Sequence, residues 1–216
     1  MDKLTPDHLR LYLMQQRQNI KPRFKIPDCY SDTLEELIKI EYENIVLTRN
    51  GTMNEISNAT ISAAAKWLNM TSRKTGLLIY GGVGNGKTTL ASAICNIVDK
   101  IFYSPVSSER KQFQRISAIK ITDTALKEQE RFGEIKYAEL LFIDDLGCEP
   151  QTVKTFGNSI APLSDVLYYR YDQMKFTIAT SNLDETGLSD YYEQRIYDRM
   201  NEMFDRLHFV NKSFRK

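Results

Sequence analysis

Cysteine is scarce. The three in 216 residues, at positions 29, 95 and 148, are too widely spaced for a CxxC-type zinc or redox motif, and an odd, scattered set suits a reducing cytosol. Long apolar runs are also missing. The longest, Leu77-Leu78-Ile79-Tyr80 and Leu140-Leu141-Phe142-Ile143, fall far below the ~20 residues of a membrane span, so no membrane contact is expected. The opening residues, Met1-Asp2-Lys3-Leu4-Thr5-Pro6-Asp7-His8, lack the apolar stretch of a secretory leader, and a cytoplasmic location is the expectation. There is little excess of either charge sign. A net charge of +1 does not by itself announce nucleic acid, so any such binding must come from local patches. What remains, 42% hydrophobic and 26% charged residues, is the composition of an ordinary globular chain and excludes disorder and collagen. The length suits one domain, with at most a small appendage.

Charge is distributed unevenly. Residues 100–120 carry five basic and one acidic side chain, residues 121–150 three basic and eight acidic, and residues 195–216 six basic and three acidic. Two readings stand: three solvated faces, or two positive surfaces on either side of an acidic catalytic strand.

The first 75 residues read as helices. Thr5 is placed as an N-cap with Pro6 behind it, for a helix stopping near Asn19. Residues 21–30 read as a linker. Ser31-Asp32-Thr33 opens a second helix with Glu35 or Glu36 placed for a capping box, ended by Asn50-Gly51. A third helix is expected from about Glu55 to Leu68. From Gly76 the pattern changes to alternating strands and helices, with strands expected at 77–80, 116–121, 140–143, 176–180 and 207–210. That alternation implies an α/β fold, a parallel sheet with helices on both faces. Residues 100–115 read as either a helix extension or a long loop.

Gly81-Gly82-Val83-Gly84-Asn85-Gly86-Lys87-Thr88 fits G-x-x-x-x-G-K-[ST], between an apolar strand and a helix. Glycines let the backbone curl so that successive N–H groups point at an anion, and the helix adds its positive dipole end. Lys87 would reach the β- and γ-phosphates, and the Thr88 hydroxyl would ligate Mg²⁺. A P-loop needs a carboxylate at the end of a neighbouring buried strand. Asp144, after Leu140–Ile143, would hold Mg²⁺, and Asp145 would orient or deprotonate the attacking water. Phe176–Thr180 runs into Ser181 and Asn182, where Asn182 could bond the γ-phosphate or that water. Arg195 and Arg199, four apart on an expected helix, share a face. One or both would serve as an arginine finger to a neighbouring subunit's nucleotide; the alternative is salt bridging to Glu193, Asp198, Glu202 or Asp205.

With these elements in this order, the sequence resembles the DnaC/IstB branch of the AAA+ ATPases, the bacterial helicase loaders and transposition ATPases. The resemblance runs from about Leu77 to Arg215. Four segments carry it: Gly81-Gly82-Val83-Gly84-Asn85-Gly86-Lys87-Thr88-Thr89, then Phe142-Ile143-Asp144-Asp145-Leu146-Gly147-Cys148-Glu149, then Arg170-Tyr171 leading to Thr180-Ser181-Asn182-Leu183, and lastly Glu193-Gln194-Arg195-Ile196-Tyr197-Asp198-Arg199-Met200. It implies a five-stranded P-loop NTPase core over 55–216, ATP with Mg²⁺ as cofactors, Asn182 as sensor 1 and Arg199 as arginine finger. Arg215 resembles a terminal arginine of the loaders. The 17 residues after Arg199 are too few for the helical lid of a full AAA+ module. AAA+ enzymes usually place Glu where Asp145 stands, so slow hydrolysis is expected. Residues 1–54 would form a small helical partner-binding region.

The function implied is an ATPase of DNA replication that loads a replicative helicase onto single-stranded DNA, with ATP switching the assembly of a homo-oligomer. An IstB-like assistant to a transposase on double-stranded DNA is the alternative. A P-loop small-molecule kinase is more remote, because a kinase has no lytic water for the Asp-Asp pair and Asn182 to place. A fourth reading, an adaptor that binds ATP and barely hydrolyses it, follows from Asp145. Lys100, Arg110, Lys111, Arg115 and Lys120 are the DNA-contacting residues suggested by charge density, with Phe102, Tyr103 and Phe113 available to stack on bases or pack in the core.

Overall fold

Alternate side chains of the central strands are apolar in both directions, and that pattern buries them between two helical layers. The computed structural model describes residues 5–16, 23–49, 58–70, 73–103, 111–155 and 157–209. Five strands form one parallel sheet: β1 (Gly76–Tyr80), β2 (Phe113–Ser117), β3 (Leu140–Leu146), β6 (Phe176–Ser181) and β7 (Phe204–His208), in the order β2-β3-β6-β1-β7. Leu77, Ile79, Leu140, Phe142, Phe176 and Ile178 pack on α2 (Leu34–Thr48), α3 (Asn58–Asn69) and α4 (Lys87–Ile101). Leu78, Leu141, Ile143 and Ala179 face the other layer. That layer comprises α5 (Ala118–Lys127), α6 (Gln129–Tyr137), α7 (Pro162–Asp172), α8 (Glu185–Tyr191) and α9 (Gln194–Met203). A short antiparallel hairpin, β4 (Val153–Thr155) with β5 (Asn158–Ile160), follows β3.

The N-terminal residues divide differently from the expected boundary at 54/55. Ile26, Leu34, Ile38 and Tyr42 share one buried cluster with Leu77, Ile79, Leu90 and Ile94. Arg73 fastens this segment: it donates to the Phe24 carbonyl, and its guanidinium lies 4.8 Å from the ring centroids of both Trp67 and Phe176. Burial pushes its pKa down to about 10. By contrast, α1 (Pro6–Gln16) exposes each of residues 6–15. Thr5 does cap it, accepting from the His8 N–H at 3.3 Å.

Other boundaries also move. The strand expected at 116–121 ends at Ser117, whose hydroxyl accepts the Lys120 N–H and opens α5. Ile116-Ser117-Ala118-Ile119 alternates like a strand, but Ala118, Ile121, Thr122 and Ala125 are buried at helical spacing. Residues 100–115 divide between the last turn of α4 and the first half of β2, with 104–110 outside the described residues. The last strand starts at Phe204 rather than Leu207, because Phe204 packs against Gly76 of β1. No capping box forms on α2: the Thr33 side chain makes no cap and its hydroxyl donates to the Tyr30 carbonyl. Asn50, Gly51 and the expected start of α3 at Glu55 lie outside the described residues.

Candidate active site

Parallel pairing sets the ends of three neighbouring strands side by side. Tyr80 pairs with Ser181 and Ile143 with Ala179, so Gly81, Asn182 and the Asp144-Asp145 pair emerge at one edge of the sheet. This is the edge where open α/β sheets bind ligands. The loop from Gly81 to Gly86 turns there by left-handed backbone, with φ of +74° at Gly84 and +102° at Gly86, which caps α4. A Cβ at Gly81 would lie 2.5 Å from the Phe209 carbonyl oxygen, so the loop cannot hold a larger residue at its first position. Gly82 has open space around it, and Val83 is exposed.

Lys87 is 4% exposed. Its Nζ donates to the carbonyls of Gly81 (2.9 Å) and Gly82 (2.7 Å), and to Oδ1 of Asn85 (3.2 Å) and of Asn182 (2.9 Å). Asn182 Nδ2 in turn donates to Asp145 Oδ1 at 3.2 Å. A second set starts at Thr88, whose hydroxyl donates to Asp144 Oδ1 at 2.9 Å. Thr180 donates to the same oxygen at 2.6 Å and accepts the Asp145 N–H at 2.9 Å. Asp145 has φ +58°, and the β3–β6 register shifts between Ile143 and Leu146. The pair therefore sits at a bulge near the end of β3, which brings both carboxylates to the sheet edge. Lys87, Thr88, Asp144, Asp145 and Asn182, singled out from the sequence, thus meet in one hydrogen-bonded group. Among the described residues no three His, Cys, Asp or Glu side chains cluster as a metal cage. The Thr88 hydroxyl and Asp144 carboxylate are hard oxygen donors at hydrogen-bond distance, the pair that suits Mg²⁺ when phosphate and water complete its shell.

The remaining residues lie apart from this group or at its rim. Thr89 is within 3.5 Å of Arg49 Nη1, at the end of α2. Arg195 and Arg199 lie on α9, against α7. The Arg195 guanidinium is 5.6 Å from the Tyr168 ring centroid, and that of Arg199 is 4.5 Å from Tyr171. Arg199 donates to the Tyr171 hydroxyl at 2.8 Å and pairs with Glu202 at 3.6 Å. Of the carboxylates named for salt bridging, Glu202 pairs with Arg199, while Asp205 accepts from Trp67 and Lys74. Arg215 and Arg110 lie outside the described residues. Of the basic residues suggested for DNA, Lys100 is bonded to Glu41 and Arg115 to Asp99. Phe113 is buried, Phe102 packs against the core, and Tyr103 is exposed.

Sequence reasoning missed the hydrogen-bond partners of three residues, Thr180, Asn85 and Glu149. Thr180 passes for a turn former in isolation, although a hydroxyl at a strand end beside an acidic strand end is a usable signal. Asn85 is 1% exposed and donates to the Phe209 carbonyl at 2.8 Å, tying the loop to the end of β7. Glu149 is buried behind the acidic turn; nothing in its neighbours announces that.

Comparison with known proteins agrees with this architecture. Over 132 residues, 60% of the chain, the sequence is 30% identical to the replicative helicase loader DnaI of Bacillus subtilis (strain 168). The match spans only 41% of that relative's length. No family model matches the chain. Among solved structures, DnaI superposes with a TM-score of 0.57 over 86% of this chain and 100% of that one, at 21% identity. The DnaC helicase loader gives 0.54 over 72% and 93%, at 20% identity. The replication initiator DnaA bound to AMPPCP and single-stranded DNA gives 0.54 over 81% and 51%, at 21% identity. The five-stranded parallel sheet with helices on both faces is the fold of these proteins.

Proposed function

We propose that this chain, which resembles the DnaC-like AAA+ ATPases in sequence and shares their fold, binds and hydrolyses ATP in DNA replication and loads a replicative helicase onto single-stranded DNA. The observation that carries the reading is the convergence of Lys87, Thr88, Asp144, Asp145 and Asn182 at one sheet edge. The names of the similar proteins support the replication setting and a helicase partner, and the DnaA complex supports single-stranded DNA.

In this reading the loop N–H groups from Gly82 to Thr89 and the Lys87 ammonium bind the phosphates. Lys87 now donates to loop carbonyls and to Asn182, and phosphate oxygens would replace some of these acceptors around its ammonium. Thr88 and Asp144 would hold Mg²⁺, which supplies charge neutralisation across the phosphate oxygens. Asp145 orients the attacking water. Asn182, bonded to both Lys87 and Asp145, would sense the γ-phosphate. Thr89 lies next to the phosphate-binding turn. Arg199, with Arg195 one turn before it, acts on the nucleotide of the adjoining protomer. Their contacts to Tyr168, Tyr171 and Glu202 involve no residue of their own P-loop. The ATPase core in this reading takes in residues 23–49 as well as those from 58 onward, and α1, with Leu9, Leu11, Tyr12, Leu13 and Met14 all exposed, is the part of the N-terminal region that grips the helicase.

Titration with a fluorescent ATP analogue and sedimentation with and without ATP test the reading. Lys87→Ala should weaken nucleotide binding at least about a hundredfold, the scale of ~3 kcal/mol from charge-assisted bonds to phosphate. Arg199→Ala should keep binding and lose ATP-dependent assembly and turnover. Wild-type protein with no nucleotide affinity in the presence of magnesium would overturn the proposal.

A further inference from the structure

The acidic turn does not end at its two aspartates. Five positions after Asp144 stands Glu149, 2% exposed. Its Oε2 accepts the Gly147 N–H at 2.9 Å, and its Oε1 accepts the Tyr192 hydroxyl at 2.6 Å. Burial pushes its pKa above the ordinary carboxylate value, against the hydrogen bonds that favour the charged form. Two more bonds run alongside: the Tyr191 hydroxyl to the Glu149 carbonyl, and Gln151 Nε2 to the Tyr191 carbonyl. Tyr191 ends α8, Tyr192 follows it, and α9 begins at Gln194, one residue before Arg195. The turn is otherwise held to β6, through Asp145 N–H to Thr180 and Ser181 hydroxyl to Leu146 carbonyl.

A carboxylate buried on hydrogen bonds alone is a costly way to fill space. What it does here is join two elements that the sheet keeps separate. One end of the connection is the left-handed turn at Asp145 and Gly147 (φ +58° and +90°). The other is Tyr192, in the two-residue link between α8 and the arginine-bearing α9. A cavity of about 160 Å³, lined by Glu149, Tyr168, Tyr192 and Ile196 among others, lies beside the connection and leaves room for it to shift. Tyr168 is also the ring under Arg195.

We propose that Glu149 and Tyr192 are positioning residues that couple the acidic turn at the end of β3 to α9, so that nucleotide bound in a protomer resets the arginine face which that same protomer offers to its neighbour. The inference rests on the nucleotide-binding reading above. It adds a route within the subunit: Asp145 and Asn182 to Gly147, Glu149, Tyr192, and so to Arg195 and Arg199.

Backbone hydrogen exchange on the full chain, with and without AMPPCP and magnesium, tests it. In wild type, AMPPCP should raise protection in both α4 and α9. Tyr192→Phe removes one hydroxyl. It should keep the α4 response and cut the α9 response about fivefold, the effect expected from one ordinary hydrogen bond on a local opening equilibrium. Glu149→Gln should act in the same direction, and Tyr192→Phe decides the matter if that variant does not fold. A merely structural role would loosen α9 equally with and without nucleotide. An α9 response unchanged in Tyr192→Phe, or absent from wild type while α4 responds, overturns the coupling. Absence of any response in α4 overturns the nucleotide-binding reading, and the coupling with it.

Discussion

Arg170 and Glu149 are both buried charged residues in segments that carry the family resemblance, and both have structural jobs that a motif does not state. Arg170 is fully buried, with Nε donating to Thr177 Oγ1 at 2.8 Å, Nη1 to the Ala138 carbonyl and Nη2 to the Phe176 carbonyl, each at 2.7 Å. Burial pushes its pKa down to about 9, and the forked donors compensate by satisfying carbonyls where α6 ends and β6 begins. Arg170→Lys lacks that fork. It should lose about 3 kcal/mol in urea unfolding while nucleotide affinity in the folded protein is unchanged. Glu149 has the opposite polarity. Its folded pKa lies above the ordinary 4.5, so the folded state holds the proton more tightly than the unfolded chain. The associated stability is fully present below 4.5 and is lost as pH rises through the raised value. Glu149→Gln removes this loss, so the difference in Tm, variant minus wild type, should grow more positive from acid to neutral pH. A difference independent of pH would contradict the burial argument.

Among the elements, those with strong local signals stand where the residues placed them. The apolar runs of β1, β3 and β6 are buried on both faces, and α4 starts at Lys87. β2 and α5 were exchanged in part because Ile116–Ile121 carries two periods at once. A serine decides between them: Ser117, extended at ψ 154°, caps α5 through the Lys120 N–H. Ser117→Ala should cost about 1 kcal/mol, measurable by chemical denaturation, and Ser117→Asp should recover most of it. The junction of α9 and β7 was illegible for a different reason. No loop separates Met203 from Phe204, so there is no turn chemistry to read, and only the packing of Phe204 on Gly76 sets the start of the strand.

At the scale of the whole molecule, packing redraws the N-terminal region. Residues 23–49 belong to the core cluster and α1 does not. Deleting residues 1–22 should therefore leave Tm and nucleotide affinity within error and abolish capture of the proposed helicase partner in a pull-down. Ile38→Ala, within the buried cluster, should instead destabilise the whole chain by ~3 kcal/mol. The residues of the Gly81–Thr88 loop and the acidic strand end were legible from the chain alone. Their chemistry depends on a few consecutive residues: glycines that permit a left-handed turn, a lysine at a helix start, and carboxylates after a buried strand. The strand order, the meeting of Thr180 with Asp144, and the tie from Glu149 to Tyr192 were decided only by tertiary structure. They join positions that lie tens of residues apart, and such contacts arise when burial on both faces stacks the strands, a collective outcome that no local pattern encodes.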